Sequence, residues 1–407
     1  MLLLFRNNLL RTTVAKRLVV GVVLLAASGS ALSAEWSLKS SIDQSLGYDS
    51  NVQMQQNAQG SFFYKIIPVL TLSHTTDVSE IRADALYGTQ VYSDLPGFNQ
   101  DMQNYALSGK YKTERFDWGI ALNHSITPTR NNALQTSGNF SANAVSTTQS
   151  VSPSLTYHLS EIDNLTLASS YSATSFDNAT NDLFRNYNNL EINFAWQRTW
   201  TERFSSSLGL FFSNYESKQS GSSQTSNINF DSYGINLTNA YNLSEKWKLS
   251  GTVGIRQTDS TISSVTSSSV GFLADFSADY TTDNLTTSFS FRRSLAPSNF
   301  GRLQEQTDAG MFLNYRIAEN LSTGFNIYYS ESTQVNFNDQ ASRENIVLQP
   351  SINWHLAPEW TLSGSYRYRT QDRTQDDFGN LSANNFAESH LIMLTLNFNW
   401  QGLSISK

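Results

Sequence analysis

The sequence predicts an all-β fold, a transmembrane up-and-down antiparallel barrel of about eighteen strands. Three observations carry that reading. Apolar and polar residues alternate over stretches of about ten to fifteen residues, long enough to cross a bilayer at a tilt. The connections between those stretches are alternately short and charged, then long and polar, the asymmetry of outer-membrane barrels with periplasmic turns and outside loops. All eight tryptophans fall at the short-turn end of the alternating stretches.

Composition narrows the field before any element is placed. Of 407 residues only 15% are charged, against about 25% in an ordinary soluble domain, and 59 Ser and 38 Asn stand where charge is missing. Aromatic residues reach 12% and the net charge is only -7, which excludes a chain too polar to fold and argues against nucleic acid as a partner. Past residue 34 no run of 18 or more apolar residues occurs, so a polytopic helical membrane protein is excluded. The absence of Cys removes disulfides, thiolate metal sites, cysteine nucleophiles and a lipid-anchoring cysteine.

From the amino terminus, Arg11, Lys16 and Arg17 precede an apolar core at Leu18 to Ala27, followed by small residues through Ala34. That order reads as a secretory signal peptide over residues 1–34, cleaved between Ala31 and Glu35. The barrel then occupies residues 35–401, and residues 402–407 read as a short tail. Strict alternation shows at Phe116, Trp118, Ile120, Leu122; at Leu190, Ile192, Phe194, Trp196; at Leu285, Thr287, Phe289, Phe291; and at Trp360, Leu362, Gly364, Tyr366, Tyr368. It is plainest in the last strand, where Ile392, Leu394, Leu396, Phe398 and Trp400 enclose Thr395, Asn397 and Asn399.

Eight short turns, such as Thr113 to Arg115 and Ser244 to Lys246, and nine long loops, among them Arg130 to Val145, Ser260 to Ser269, Ser332 to Glu344 and Gln371 to Asn385, delimit eighteen strands. The count becomes sixteen if the weak hairpin near Val270 to Tyr280 or Gly310 to Ile317 is loop. Trp36, Trp118, Trp196, Trp200, Trp247, Trp354, Trp360 and Trp400 then form a periplasmic girdle, and Tyr48, Tyr92, Tyr171, Tyr215, Tyr329 and Tyr368 an outer belt.

If apolar residues face lipid, their neighbours face the lumen. That places Lys39, Lys65, Arg82, Lys110, Lys112, Lys248, Arg256, Arg292, Arg316, Arg367 and Arg369 inward, against Asp43, Asp84, Glu191, Asp275 and Asp279. Such rings favour anions, unless the cations pair with those carboxylates or with loop acids folded inside. Phe140, Phe184, Phe230, Phe300, Phe337 and Phe378 in the loops are candidates for stacking on sugar rings or for anchoring loops to the wall.

Gly47-Tyr48-Asp49-Ser50-Asn51-Val52, followed by Tyr64-Lys65-Ile66-Ile67-Pro68-Val69-Leu70, resembles the opening of a family of outer-membrane β-barrel porins associated with exopolysaccharide gene clusters. The resemblance implies passage or assembly of a capsule or biofilm polymer, with polysaccharide and periplasmic export components as partners. Lipid, lipopolysaccharide and the outer-membrane assembly machinery are the partners of any such barrel. In one departure from many such barrels, the final aromatics Phe398 and Trp400 are followed by Gln401 to Lys407. Two other readings stand beside this one, a general or solute-selective diffusion porin and an adhesive barrel that binds through its loops.

Enzyme chemistry is not expected, and neither a cofactor nor a metal is implied. His158 and Ser160 share a strand face but lie at a short turn, and Asp372, Asp376, Asp377 and Asn380 match no EF-hand spacing. No HExxH, GxSxG or phosphate-binding glycine loop occurs.

Overall fold

The computed structural model describes residues 34–136, 138–177, 184–218, 227–262, 265–335, 342–373 and 386–406. Its strands are β1 Glu35–Asp49, β2 Ser61–Thr75, β3 Ser79–Tyr92, β4 Gln100–Lys112, β5 Phe116–Pro128, β6 Val145–His158, β7 Asp163–Asp177, β8 Asn186–Thr201 and β9 Phe204–Lys218. The second half continues with β10 Asn227–Asn242, β11 Trp247–Ile262, β12 Val265–Thr281, β13 Leu285–Pro297, β14 Leu303–Ala318, β15 Leu321–Gln334, β16 Ser342–Ala357, β17 Trp360–Arg373 and β18 Ala387–Ser406. Both weak hairpins are regular strands, so the count is eighteen rather than sixteen. The signal segment lies outside the described residues.

Every strand pairs antiparallel with its chain neighbours, and β1 pairs with both β2 and β18, so the sheet closes into a barrel. Closure gives the first and last strands partners, as hydrocarbon requires of backbone N–H and C=O groups. Paired residues of an antiparallel ladder share a face. Tyr48, Leu46, Gln44, Ile42 and Ser40 of β1 stand opposite Ile392, Leu394, Leu396, Phe398 and Trp400 of β18. Carrying that face strand by strand round the ring returns consistently to Trp360 opposite Phe398 on β17.

The outer face so defined carries Leu122, Leu210, Ile255, Phe276 and Leu394, all exposed. Keeping apolar area out of water is worth about 25 cal/mol per Å², so this continuous apolar surface selects hydrocarbon as its solvent. The opposite face is dominated by hydroxyls and amides that bond across strands, as in Thr148 with Thr174 at 3.0 Å and Asn123 with Asn104 at 3.0 Å. Loops fold onto this second face, which makes it the lumen.

Three details differ from the sequence reading. Residues 402–406 are not tail but the end of β18, with Leu403 and Ile405 paired to Leu38 and Trp36. A register shift between Leu38 and Ser40, with Gly402 at φ +87°, inserts an extra residue and breaks the alternation that marks a strand in sequence. The stretch Ser260 to Ser269 is no long loop, because Ile262 pairs with Val265 and Ser260 with Ser267 as β11 and β12 run on beyond the wall. Tyr92 and Tyr215 leave the outer belt, since both sit buried on the lumen face.

Candidate functional site: an arginine-lined constriction

The loop after β5 enters the barrel. Pro128 ends the strand, and Thr129–Asn132 form one 3-10 turn that starts the descent. Arg130 is buried at its base, where its Nη2 donates to Tyr92 Oη at 3.2 Å, the Phe98 backbone oxygen at 3.2 Å and Gln100 Oε1 at 3.1 Å. Its guanidinium lies 5.0 Å from the ring centres of both Tyr92 and Phe98. Burial holds the Arg130 pKa below the usual guanidinium value, against the opposing pull of Tyr92 and Asp49. Gln90 donates to Tyr92 Oη at 2.7 Å and Gln100 donates to Gln90 at 3.0 Å, which fixes the loop to β3 and β4.

The far side of the same loop reaches β16, β17 and β18. Phe140 is buried with Met54, Ala133 and Ala387, and the Arg369 guanidinium stands 4.3 Å from its ring centre. Arg373 donates to the Gly138 backbone oxygen, and Arg343 donates to that of Leu134 at 3.4 Å. Gly138 has φ +67°, and a Cβ there would meet the Arg343 side chain at 2.3 Å, so only glycine lets the loop lie this close to the wall.

A second insertion comes from the top of the β13 and β14 hairpin. Leu303 is buried with Tyr215, Ile228 and Phe230 on the lumen face of β9 and β10, with Leu295 and Ile262 packed against them. Asn299 accepts from the Arg185 backbone N–H at 3.0 Å, and the Phe300 and Phe184 rings stack at 5.8 Å. Gln304 donates to the Gln135 backbone oxygen at 2.9 Å, so the two insertions meet inside the barrel.

All eleven basic residues named from sequence share the lumen face by register, as do Asp43, Asp84, Glu191, Asp275 and Asp279. Arg82 pairs with Asp84 and Arg292 with Asp275, each at 2.8 Å, and Arg256 lies 3.6 Å from Glu305. Among the described residues the other eight have no carboxylate partner within 4.0 Å. Register adds Arg343 and Arg373 to this face, and also Glu35, Asp49, Glu80, Asp117 and Asp308. The basic excess is therefore smaller than sequence suggests, and it gathers about the inserted loop, which Arg130, Arg343, Arg369 and Arg373 hold. Sequence reading placed Arg130, Arg343 and Arg373 in outside loops. The cue it lacked is where those loops go.

All eight tryptophans lie on the outward face at the short-turn end. Trp36 meets His74 at 4.4 Å, and Trp247 and Trp360 meet Tyr280 and Phe398 at 4.7 Å. Trp196 and Trp200 donate to Asp163 at 3.2 Å and Ser206 at 3.1 Å, and Trp118, Trp354 and Trp400 are exposed. The loop aromatics Phe140 and Phe184 are buried against the wall, whereas Phe230, expected in a loop, is a buried residue of β10 on the lumen face; Phe337 and Phe378 lie outside the described residues.

No protein-family model matches this sequence, and no curated protein matches it. Solved structures do resemble it. The Pseudomonas aeruginosa outer membrane protein OpdK is 10% identical, with 90% of this chain and 99% of that one covered and a TM-score of 0.47. P. aeruginosa OpdQ is 9% identical over 90% of this chain and 97% of that one, with a TM-score of 0.46. The copper transporter OprC is 10% identical over 89% and 80%, with a TM-score of 0.48.

His158 and Ser160 do not meet. The His158 ring bonds Asn164 at 2.7 Å and lies 3.3 Å from Asp117, while Ser160 closes its own turn on Asp163. Asp372 pairs with Glu344 on the outward face of β17, and Asp376, Asp377 and Asn380 lie outside the described residues.

Proposed function

We propose that this barrel is an outer-membrane conduit whose inserted loops form a basic constriction selecting anionic solutes or an acidic polymer. The observation that carries the reading is the clustering of Arg130, Arg343, Arg369 and Arg373 about one loop inside the barrel, with Phe140 beneath the Arg369 guanidinium. A guanidinium in a narrow passage lowers the electrostatic cost of an anion and raises that of a cation. The short turns lie on the periplasmic side and the long loops outside, and lipid and lipopolysaccharide surround the apolar face.

The finer reading, that the passing species is a secreted exopolysaccharide, rests on the resemblance of Gly47 to Val52 and Tyr64 to Leu70 to exopolysaccharide-associated porins. Reversal potentials across planar bilayers under a salt gradient test the conduit. Anion preference is expected, and cation preference or a silent bilayer overturns the reading. Deleting the gene tests the cargo separately, with loss of surface polysaccharide expected and unchanged export counting against it.

A further inference from the structure

The ladder between β12 and β13 stops early. Its uppermost pair is Ala274 with Arg293, yet β12 continues through residues 265–273 and β13 through residues 294–297 with no pairing between them. The β11 ladder, in contrast, accompanies β12 all the way to Val265. The upper part of β13 turns inward with β14, where Leu295 and Leu303 pack on the lumen face of β9 and β10. Among the described residues one edge of β12 above Ala274 is left without a strand.

The charges at this break connect the two sides of the wall. Arg256 faces the lumen and crosses over Gly271, where a Cβ would lie 2.7 Å from its guanidinium carbon. Arg293 pairs in register with the outward Ala274 and lies 4.5 Å from the ring centre of the outward Phe272. Both reach Glu305, Arg293 at 2.6 Å and Arg256 at 3.6 Å. An unbroken ladder separates its two faces by a layer of backbone, so a lumen-facing and an outward-facing cation share a carboxylate only where the wall is open. Arg256 is 4% exposed, and its Nε has no hydrogen-bond partner in the described residues. Just outside, Val270 is 80% exposed and Phe272 52%, so the rim of the opening is apolar.

Height places the opening at the outer leaflet. Tyr280, which stacks on Trp247 in the girdle, lies eight positions below Phe272 on the same face. At about 3.4 Å per residue and a tilt near 40°, that is about 20 Å, toward the top of an apolar band of about 25 Å. An unpaired strand edge is costly in hydrocarbon and tolerable where polar headgroups begin.

We propose that the break between β12 and β13 is a lateral portal joining the lumen to the outer leaflet, and that it takes an anionic amphiphile. The acidic headgroup joins Glu305 between Arg256 and Arg293, and the apolar chain lies along Phe272 and Val270. Two guanidinium groups facing one carboxylate leave the charge such a headgroup would balance.

The chain has no native cysteine, so a single introduced thiol reports cleanly. Ser269→Cys, on the lumen face of β12 at the break, and Ser172→Cys, on the lumen face of β7 in a continuous wall, are each labelled with bimane in vesicles containing brominated phospholipid. Folding of each variant is checked by its heat-dependent gel shift. Quenching at position 269 is expected to be several-fold greater than at 172, stronger with brominated phosphatidylglycerol than with brominated phosphatidylcholine, and reduced to the phosphatidylcholine level by R256Q with R293Q. Equal quenching at 269 and 172 overturns the portal, and equal quenching by the two lipids overturns the headgroup selection. A disulfide-linked dimer of Val270→Cys formed from dilute protein assigns the edge to a second copy and overturns the proposal as well.

Discussion

Gln304 at the start of β14 donates its side-chain amide to the backbone oxygen of Gln135, 2.9 Å away, and this bond ties together two loops inserted from different parts of the wall. Each loop is anchored separately, one by Arg130 on β3 and β4 and one by Leu303 on β9 and β10. Their meeting joins the two insertions inside the barrel.

Removing residues 131–143 is therefore expected to raise single-channel conductance several-fold while leaving the heat-dependent gel shift intact, because the strands close without the loop. Gln304→Ala, which removes one hydrogen bond of about 1 kcal/mol, is expected to increase the frequency of brief openings and leave their size unchanged. Planar-bilayer recording reads both, and unchanged conductance in the deletion would mean that the loop does not obstruct flow.

Selectivity should depend on which arginine is neutralised. Arg369 has no carboxylate within 4.0 Å among the described residues, whereas Arg82 is held by Asp84 at 2.8 Å. R369Q is expected to shift the reversal potential toward cations, and R82Q to shift it less, since an ion pair presents little field at a distance. A larger shift from Arg82 would move the selecting site to the short-turn end.

The closing seam of the barrel depends on Gly402. Its φ of +87° disfavours any L side chain, and a Cβ would stand 2.0 Å from the Leu38 backbone oxygen. Gly402→Val is expected to cost at least about 1–2 kcal/mol, read as a lower urea midpoint in lipid vesicles. Gly97→Ala, with open space around its Cα, should leave the midpoint unchanged.

Adjacent residues of β5 offer a direct test of which face meets lipid. Leu122 lies outward, paired with Leu107 and Val151, and Ala121 lies inward, paired with Ser108 and Ser152. Leu122→Arg near mid-membrane is expected to cost roughly 2–4 kcal/mol and Ala121→Arg far less. Equal costs in vesicle unfolding would contradict the assignment of faces.

Several arginines show how far the sequence reaches. Arg367 and Arg369 sit in an alternating stretch, and their inward direction follows from period two alone. Arg343 and Arg373 are also on strands, but those strands rise above the apolar band, where polar residues occupy both faces and alternation is lost. Arg130 lies off any strand, and its burial follows from contacts with Tyr92 and Gln100, 38 and 30 positions back along the chain.

The sequence by itself determined the antiparallel barrel, the side each strand shows to lipid and the end at which tryptophan gathers, while the choice of eighteen strands over sixteen came from the pairing of β12 and β14. Those properties are local, because lipid imposes the same two-residue rule on every strand independently. Only the tertiary structure decided which loops turn inward, that Gln135 meets Gln304 across 169 positions, and that the ladder between β12 and β13 opens above Ala274. These depend on how side chains far apart in the chain fit one enclosed space. No local pattern records that fit.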